Sequence, residues 1–166
     1  MATEVKPFII SREFNAPRDL VWKAWTERDR LMQWMGPKGT KMTQAKMDLR
    51  PGGTFHYCLQ TPDGGEMWGK WTFREVTPTT KIILVQNFSD AQGNITRHPM
   101  APLFPANNLS TTTLAEKDGK TTVTIRWEPT DATEEEIQFF NGMHESMTGG
   151  WGGTFEQLAE YLFNIQ

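Results

Sequence analysis

The sequence predicts an α+β fold, with helices segregated to one face of an antiparallel sheet. Three observations carry this. Short apolar runs bounded by turn residues fill the middle of the chain. Two short helical patterns follow the first of these runs. One long helical stripe closes the chain, where Met147, Trp151, Phe155, Leu158 and Leu162 recur at spacings of four, four, three and four.

Taken in order, Phe8, Ile10 and Phe14 lie on one side of an alternating run, a strand with Arg12 as its exception. NAPRD breaks that strand: Pro17 suits a first helical position and Asp19 a first turn. Val21, Ala24 and Trp25 form a short apolar stripe. In ERDRLMQWMGPKG, Leu31, Trp34 and Met35 cluster, and Gly36-Pro37 stops a second short helix. Strands are expected over 43–50, 54–61, 66–76 and 81–88, separated by PGG, PDGG and TPTT. SDAQGN turns the chain again. Residues 97–108 carry three prolines and cannot form a central strand. Two further strands, 109–116 and 120–128, are joined by an Asp-Gly hairpin in KDGK.

The end is helical. Thr133 and Glu136 form a capping box, with glutamates filling the first turn, and Asn141-Gly142 is a candidate interruption. Within the final helix stands GGWGG, at 149–153. Each glycine costs a helix interior about 0.5–1 kcal/mol relative to alanine. A kink or hinge is therefore expected there, with Trp151 on the sheet-facing stripe, Gly149, Gly152 and Gly153 on the opposite side, and Gly150 at the flank.

The length of 166 residues suits one domain, 1–166. Lys plus Arg against Asp plus Glu is 17 − 20 = −3, which gives no electrostatic reason to expect nucleic acid or an anionic membrane. No apolar run approaches a membrane span, and the first residues lack a signal-peptide pattern, so a cytoplasmic protein is expected. Cys58 is the only cysteine, so no intrachain disulfide can form. Seven Trp, ten Phe and nine Met must fill a core or line an apolar cavity.

The motifs for other chemistry fail. GGWGGTF has no lysine and no preceding strand, and Trp151 would occupy the space of a phosphate. His56, Cys58, His98 and His144 show no CxxC, HExxH or facial-triad spacing, so neither metal nor cofactor is expected. There is no GxSxG elbow, and no catalytic residue is assigned. An aromatic set remains: Trp22, Trp25, Trp34, Trp68, Trp71, Phe88, Trp127, Trp151 and Phe155. On a curved sheet gripping one helix, part of this set is core and part faces a cavity.

The order of several motifs resembles the SRPBCC (START/Bet v 1-like) superfamily, in the branch related to the activator of heat-shock-protein-90 ATPase. They are Ala16-Pro17-Arg18, VWKAWTE at 21–27, Trp34 before GPKG, MDLRPGGTF at 47–55, EMWGK at 66–70, FSD at 88–90, TRHPM at 96–100, RWEP at 126–129, Gly150-Trp151 and QLAEYL at 157–162. The resemblance covers nearly the whole chain. It departs at Met35, where the family often has a second tryptophan, and at Gly149 and Gly152, which look like additions.

The resemblance implies a helix-grip fold: a curved antiparallel sheet around a long C-terminal helix, two short helices closing one end, and an internal cavity. It implies binding of an apolar or aromatic small molecule, lipid- or polyketide-like. The cavity candidates are Trp34, Met35, Tyr57, Trp71, Phe88, His98, Trp127, Met147, Trp151 and Phe155. The loop 97–105 and the GGWGG helix form the expected gate. Two alternatives stand beside binding. One is a cyclase- or hydrolase-type enzyme using His56, Tyr57, His98 or Glu66 as its polar group. The other is a protein-partner module of the co-chaperone type, weakened because that co-chaperone's large N-terminal domain has no counterpart in this sequence. Relatives also include dimers, and a long sheet edge gives a route to a homodimer.

Overall fold

The computed structural model describes residues 3–166. Strand β1 (Phe8–Phe14) leads into helices α1 (Arg18–Thr26) and α2 (Arg28–Trp34). Strands β2 (Lys41–Met47), β3 (Thr54–Gln60), β4 (Glu66–Thr77), β5 (Lys81–Ser89), the two-residue β6 (Ile95–Thr96), β7 (Asn107–Lys117) and β8 (Lys120–Thr130) follow. Helices α3 (Glu134–Asn141) and α4 (His144–Asn164) close the chain. Every strand pairing is antiparallel, in the order β1-β8-β7-β5-β4-β3-β2, with β6 on β5. The curved sheet and its C-terminal helix make a helix-grip-like architecture.

Local chemistry accounts for the main joints. Asp118 (φ 55°) and Gly119 (φ 76°) both take positive φ, the demand of a tight hairpin, and set the β7–β8 register. At α3 the Thr133 hydroxyl accepts from the Glu136 amide at 3.2 Å, while the Glu136 carboxylate accepts from the Thr133 amide at 2.9 Å. The helical stretch breaks at Gly142-Met143, where the sequence placed a candidate interruption. Beyond it, α4 runs unbroken through GGWGG.

Two expectations need correction. The strand expected over 43–50 lies at Lys41–Met47, because the chain already turns at Asp48: the Asp48 amide donates to Thr54 O at 2.8 Å and the Arg50 amide to Asp48 O at 3.1 Å. The alternation of Met47, Leu49 and their neighbours mimics a strand that the turn has ended. Strand β6 was not anticipated, since two residues carry no readable period.

The core lies between α4 and the concave sheet face, closed at one end by α1 and α2. Phe155, Leu158 and Leu162 of α4 are buried, and Phe155 meets Phe14 edge-on at 5.5 Å. Trp25 and Trp34 cross at 4.8 Å, and the Trp34 Nε1–H donates to Ala24 O at 3.0 Å. A second cluster of Phe8, Phe104, Phe140 and Met147 caps the other end of the groove. Among the described residues, no helix is long and apolar enough to cross a membrane.

Candidate functional site

Between these two clusters lies a pocket of about 190 Å³. Its walls come from five parts of the fold. Tyr57 and Leu59 stand on β3, Met67 to Gly69 and Trp71 on β4, and Gln86 to Phe88 on β5. Trp127 comes from β8, and Met147, Gly150, Trp151 and Thr154 from α4. Met35, Gly36 and Pro37, just after α2, complete the rim. Gln157 on α4 donates from Nε2 to Trp34 O at 3.0 Å and Gly36 O at 2.6 Å, which fastens this rim to the helix.

The register explains the shape. Tyr57, Gly69 and Phe88 are neighbours across β3, β4 and β5, so they share one face. The Tyr57 ring lies flat over Gly69: a Cβ there would stand 2.4 Å from both Cζ and Oη of Tyr57. Only glycine leaves that slot open. Phe55 stacks on Tyr57 at 5.1 Å, and Trp71 meets it edge-on at 5.8 Å. On the helix side, Trp151 stacks on Trp25 at 6.2 Å and meets Trp127 edge-on at 5.7 Å. The Trp127 Nε1–H donates to Ser110 Oγ at 3.1 Å.

Polar groups are few. Tyr57, Gln86, Asn87 and Thr154 are the polar residues of the lining, beside the indoles of Trp68, Trp71, Trp127 and Trp151. Burial pushes the Tyr57 phenol up to about 12, against the opposing influence of the Trp71 and Gln86 side chains. At neutral pH it is a neutral hydroxyl, not a base or nucleophile. Asn87 is spent on the loop, donating to Ala106 O at 2.6 Å and Asn107 Oδ1 at 2.7 Å. Thr154 is spent on its own helix, donating to Gly150 O at 3.0 Å.

Seven of the ten cavity candidates meet in this pocket: Met35, Tyr57, Trp71, Phe88, Trp127, Met147 and Trp151. Three do not. Trp34 is buried between α1 and α4, its N–H taken by Ala24 O. Phe155 packs against Phe14 in the core. His98 sits outside the wall, edge-on to Phe88 at 4.9 Å, with Nδ1 accepting from the Met100 amide at 3.0 Å. The loop 97–105, expected as a gate, lines no part of the pocket. It is pinned instead: Arg97 pairs with Glu136 on α3, and Phe104 is buried against Phe140.

The polar groups considered for catalysis separate as well. His56 stacks on Trp68 at 5.0 Å and bonds Asp90 O through Nε2 at 3.0 Å, outside the lining. Glu66 is exposed at the start of β4. Burial pushes the Cys58 thiol up, and it too lies outside the pocket. Among the described residues there is no group of three or more His, Cys, Asp or Glu that could hold a metal ion.

Sequence reasoning read Gly69 as a close-approach position, which the Tyr57 ring bears out, and missed Gln86 and Gly150. The signal for Gln86 was present: it interrupts the inward alternation Ile82, Leu84, Phe88 on β5. Gly150 was placed at the flank of the stripe, whereas it faces the pocket, and Gly153, placed on the free side, lies against Lys38.

A family model described as Activator of Hsp90 ATPase homolog 1-like protein matches residues 15–163. A solved structure of a Nitrosomonas europaea protein is similar at 26% identity and a TM-score of 0.76, over 96% of this chain and 95% of that one. One from Arthrobacter aurescens is 25% identical with a TM-score of 0.75, over 99% of this chain and 93% of that one. A Rhodobacter sphaeroides protein shares the fold, at 17% identity and a TM-score of 0.77, over 100% of this chain and 99% of that one. No curated protein matches the chain.

Proposed function

We propose a binding function from the premise that the chain belongs to the Activator of Hsp90 ATPase homolog 1-like family, within the SRPBCC superfamily. The protein holds an apolar or aromatic small molecule in the pocket between the sheet and α4. The observation that carries this is the pocket itself: aromatic rings, thioethers and a few polar groups converge on one concave space. Its size narrows the ligand. A cavity of roughly 150 Å³ takes benzene, and drug-sized ligands occupy roughly 300–1,000 Å³. At about 190 Å³ this pocket suits a single ring with a short substituent, and a full lipid or polyketide would need it to widen.

The side chains favour holding over reacting. A cyclase- or hydrolase-type reaction here would have to run through Tyr57, since His56, His98 and Glu66 stand outside. The test is calorimetry and tryptophan fluorescence with toluene, cumene and acetophenone, beside fatty acids, flavonoids and polyketides. Saturable binding of the single-ring compounds, weakened in Gly150→Leu, is expected. No saturable binding of any compound would overturn the reading.

A further inference from the structure

Tyr57 is buried to 7% exposure and lines the pocket; among the described residues no hydrogen bond of ordinary geometry holds its hydroxyl, and the Trp71 and Gln86 side chains act on it only as weaker hydrogen-bonding neighbours. Buried hydroxyls ordinarily find a partner. The neighbours that influence the phenol are Trp71 and Gln86, and both belong to the same wall. Trp71 Nε1 is itself buried without a hydrogen-bond partner in the protein. The other lining groups that could satisfy a ligand are already engaged: Asn87 with the loop, Thr154 with α4, and the Trp127 N–H with Ser110. The lining side chains left unengaged are then Tyr57, Gln86 and the indoles of Trp68 and Trp151, while Trp71 Nε1 is sealed from the pocket. No lining residue carries a charge.

The chemistry of this corner is asymmetric. An indole N–H donates only. The phenol keeps its proton, because its burial makes ionisation unfavourable. Gln86 supplies an amide that either donates or accepts. A neutral phenol whose proton has no protein acceptor of ordinary geometry, in a neutral apolar pocket, calls for a neutral oxygen acceptor.

We infer that the pocket selects single-ring ligands that carry a carbonyl oxygen, which accepts from the Tyr57 hydroxyl. This deepens the binding reading and rests on it. Tyr57 and Gly69 then act together: glycine lets the phenol ring lie across β4, with its hydroxyl at the pocket wall.

Acetophenone and cumene test the inference, since they have the same number of heavy atoms and differ by one oxygen in place of a methyl group. Affinities are measured by calorimetry on the wild type and Tyr57→Phe. The acetophenone-to-cumene affinity ratio is expected to be about five- to tenfold higher in the wild type than in Tyr57→Phe, the worth of one good hydrogen bond. The infrared carbonyl stretch of bound ¹³C-labelled acetophenone should shift down in the wild type and less in Tyr57→Phe, a signature that a purely structural role would not move. An unchanged urea midpoint for Tyr57→Phe at pH 7 shows that the fold is intact. Should that variant be unstable, the carbonyl stretch of acetophenone bound to the wild type, compared with the same ligand in hexane, still decides the matter. An affinity ratio unchanged in Tyr57→Phe, or a bound carbonyl stretch no lower than in hexane, would overturn the inference and leave the pocket reading standing. Binding of neither ligand would overturn the pocket reading, and this inference with it.

Discussion

Gly69→Ala tests how the pocket is built. Tyr57, Gly69 and Phe88 stand side by side on one face of the sheet. A Cβ at Gly69 would lie 2.4 Å from Tyr57 Cζ and Oη and 2.9 Å from Cε2. Ordinary carbon contacts begin near about 3.5 Å, so the overlap is about 1 Å. A free ring tip would swing away at little cost. This ring is held by Phe55 stacked at 5.1 Å and Trp71 edge-on at 5.8 Å, and its open direction leads into the pocket. Two effects then compete. Alanine in place of glycine in a strand gains about 0.5–1 kcal/mol. Overpacking a buried site costs about 1–3 kcal/mol. The clash is severe enough for the second to win, with a net loss of about 1–2 kcal/mol.

Urea unfolding measures this as a midpoint lowered by about 0.5–1 M at unchanged slope. The same substitution in a Tyr57→Ala background removes the obstacle and should gain the ordinary 0.5–1 kcal/mol, roughly, so the cycle yields a coupling of about 2 kcal/mol. Ligand binding should weaken in the single variant, because the displaced ring fills pocket space. If Gly69→Ala raises stability equally in both backgrounds, the Tyr57 ring does not rest on Gly69 and the account of the slot is wrong.

Three further outcomes are expected. Gly149→Ala and Gly152→Ala should each stabilise the protein by about 0.5–1 kcal/mol, since a Cβ at either position meets nothing within 4 Å. Gly153→Ala should gain less, as its Cβ would press on Lys38 at 3.2 Å; urea midpoints of the three variants give the comparison. The Glu136 carboxylate is held below its ordinary value of 4.5, first by the Thr133 amide and then by Arg97. Its contribution is therefore present above pH 4.5 or so and fades as the pH falls through the lower folded value. The stability gap between wild type and Glu136→Gln should accordingly be widest near neutrality and close in acid, and a gap independent of pH would contradict this. For Tyr57 the sign is reversed. Its folded value of about 12 lies above the usual 10, so the folded state keeps the proton and stability falls as pH rises between them. Tyr57→Phe should lose less stability than wild type over that interval in urea titrations.

The parts of the fold that were legible are those with strong local signals. Asp118-Gly119, the Thr133–Glu136 box and the Met147-to-Leu162 stripe each require a particular residue type, and each appears in its expected place. The cavity was legible only as an aromatic surplus. Trp34 and Trp151 look alike in sequence, yet one is sealed by Ala24 O and the other faces the pocket. What separates them is the register of distant strands and the crossing of α1, α2 and α4. His98 misled because a proline-stiffened loop reads as functional, whereas the Arg97–Glu136 pair ties that loop to α3.

Strand β7 shows why the polar side of the site was hardest to read. Its inward residues Asn108, Ser110 and Thr112 are buried at 4%, 5% and 2% exposure, although NNLSTTTLAEK is polar on both faces and has no amphipathic period. Burying such a row is tolerable only when its groups are used. The tryptophans supply part of the reason: the Trp127 N–H ends on Ser110, just as the Trp34 N–H ends on a backbone carbonyl. A core this rich in indole must provide acceptors, and β7 provides one on the side where α4 presses Trp151 against Trp127. That provision is incomplete: the N–H groups of Trp25 and Trp71 are buried without a partner, as is Asn108 Oδ1 on β7 itself. Of the Tyr57–Trp71 pair in the pocket wall, it is therefore the phenol and not the sealed indole that a ligand oxygen would meet.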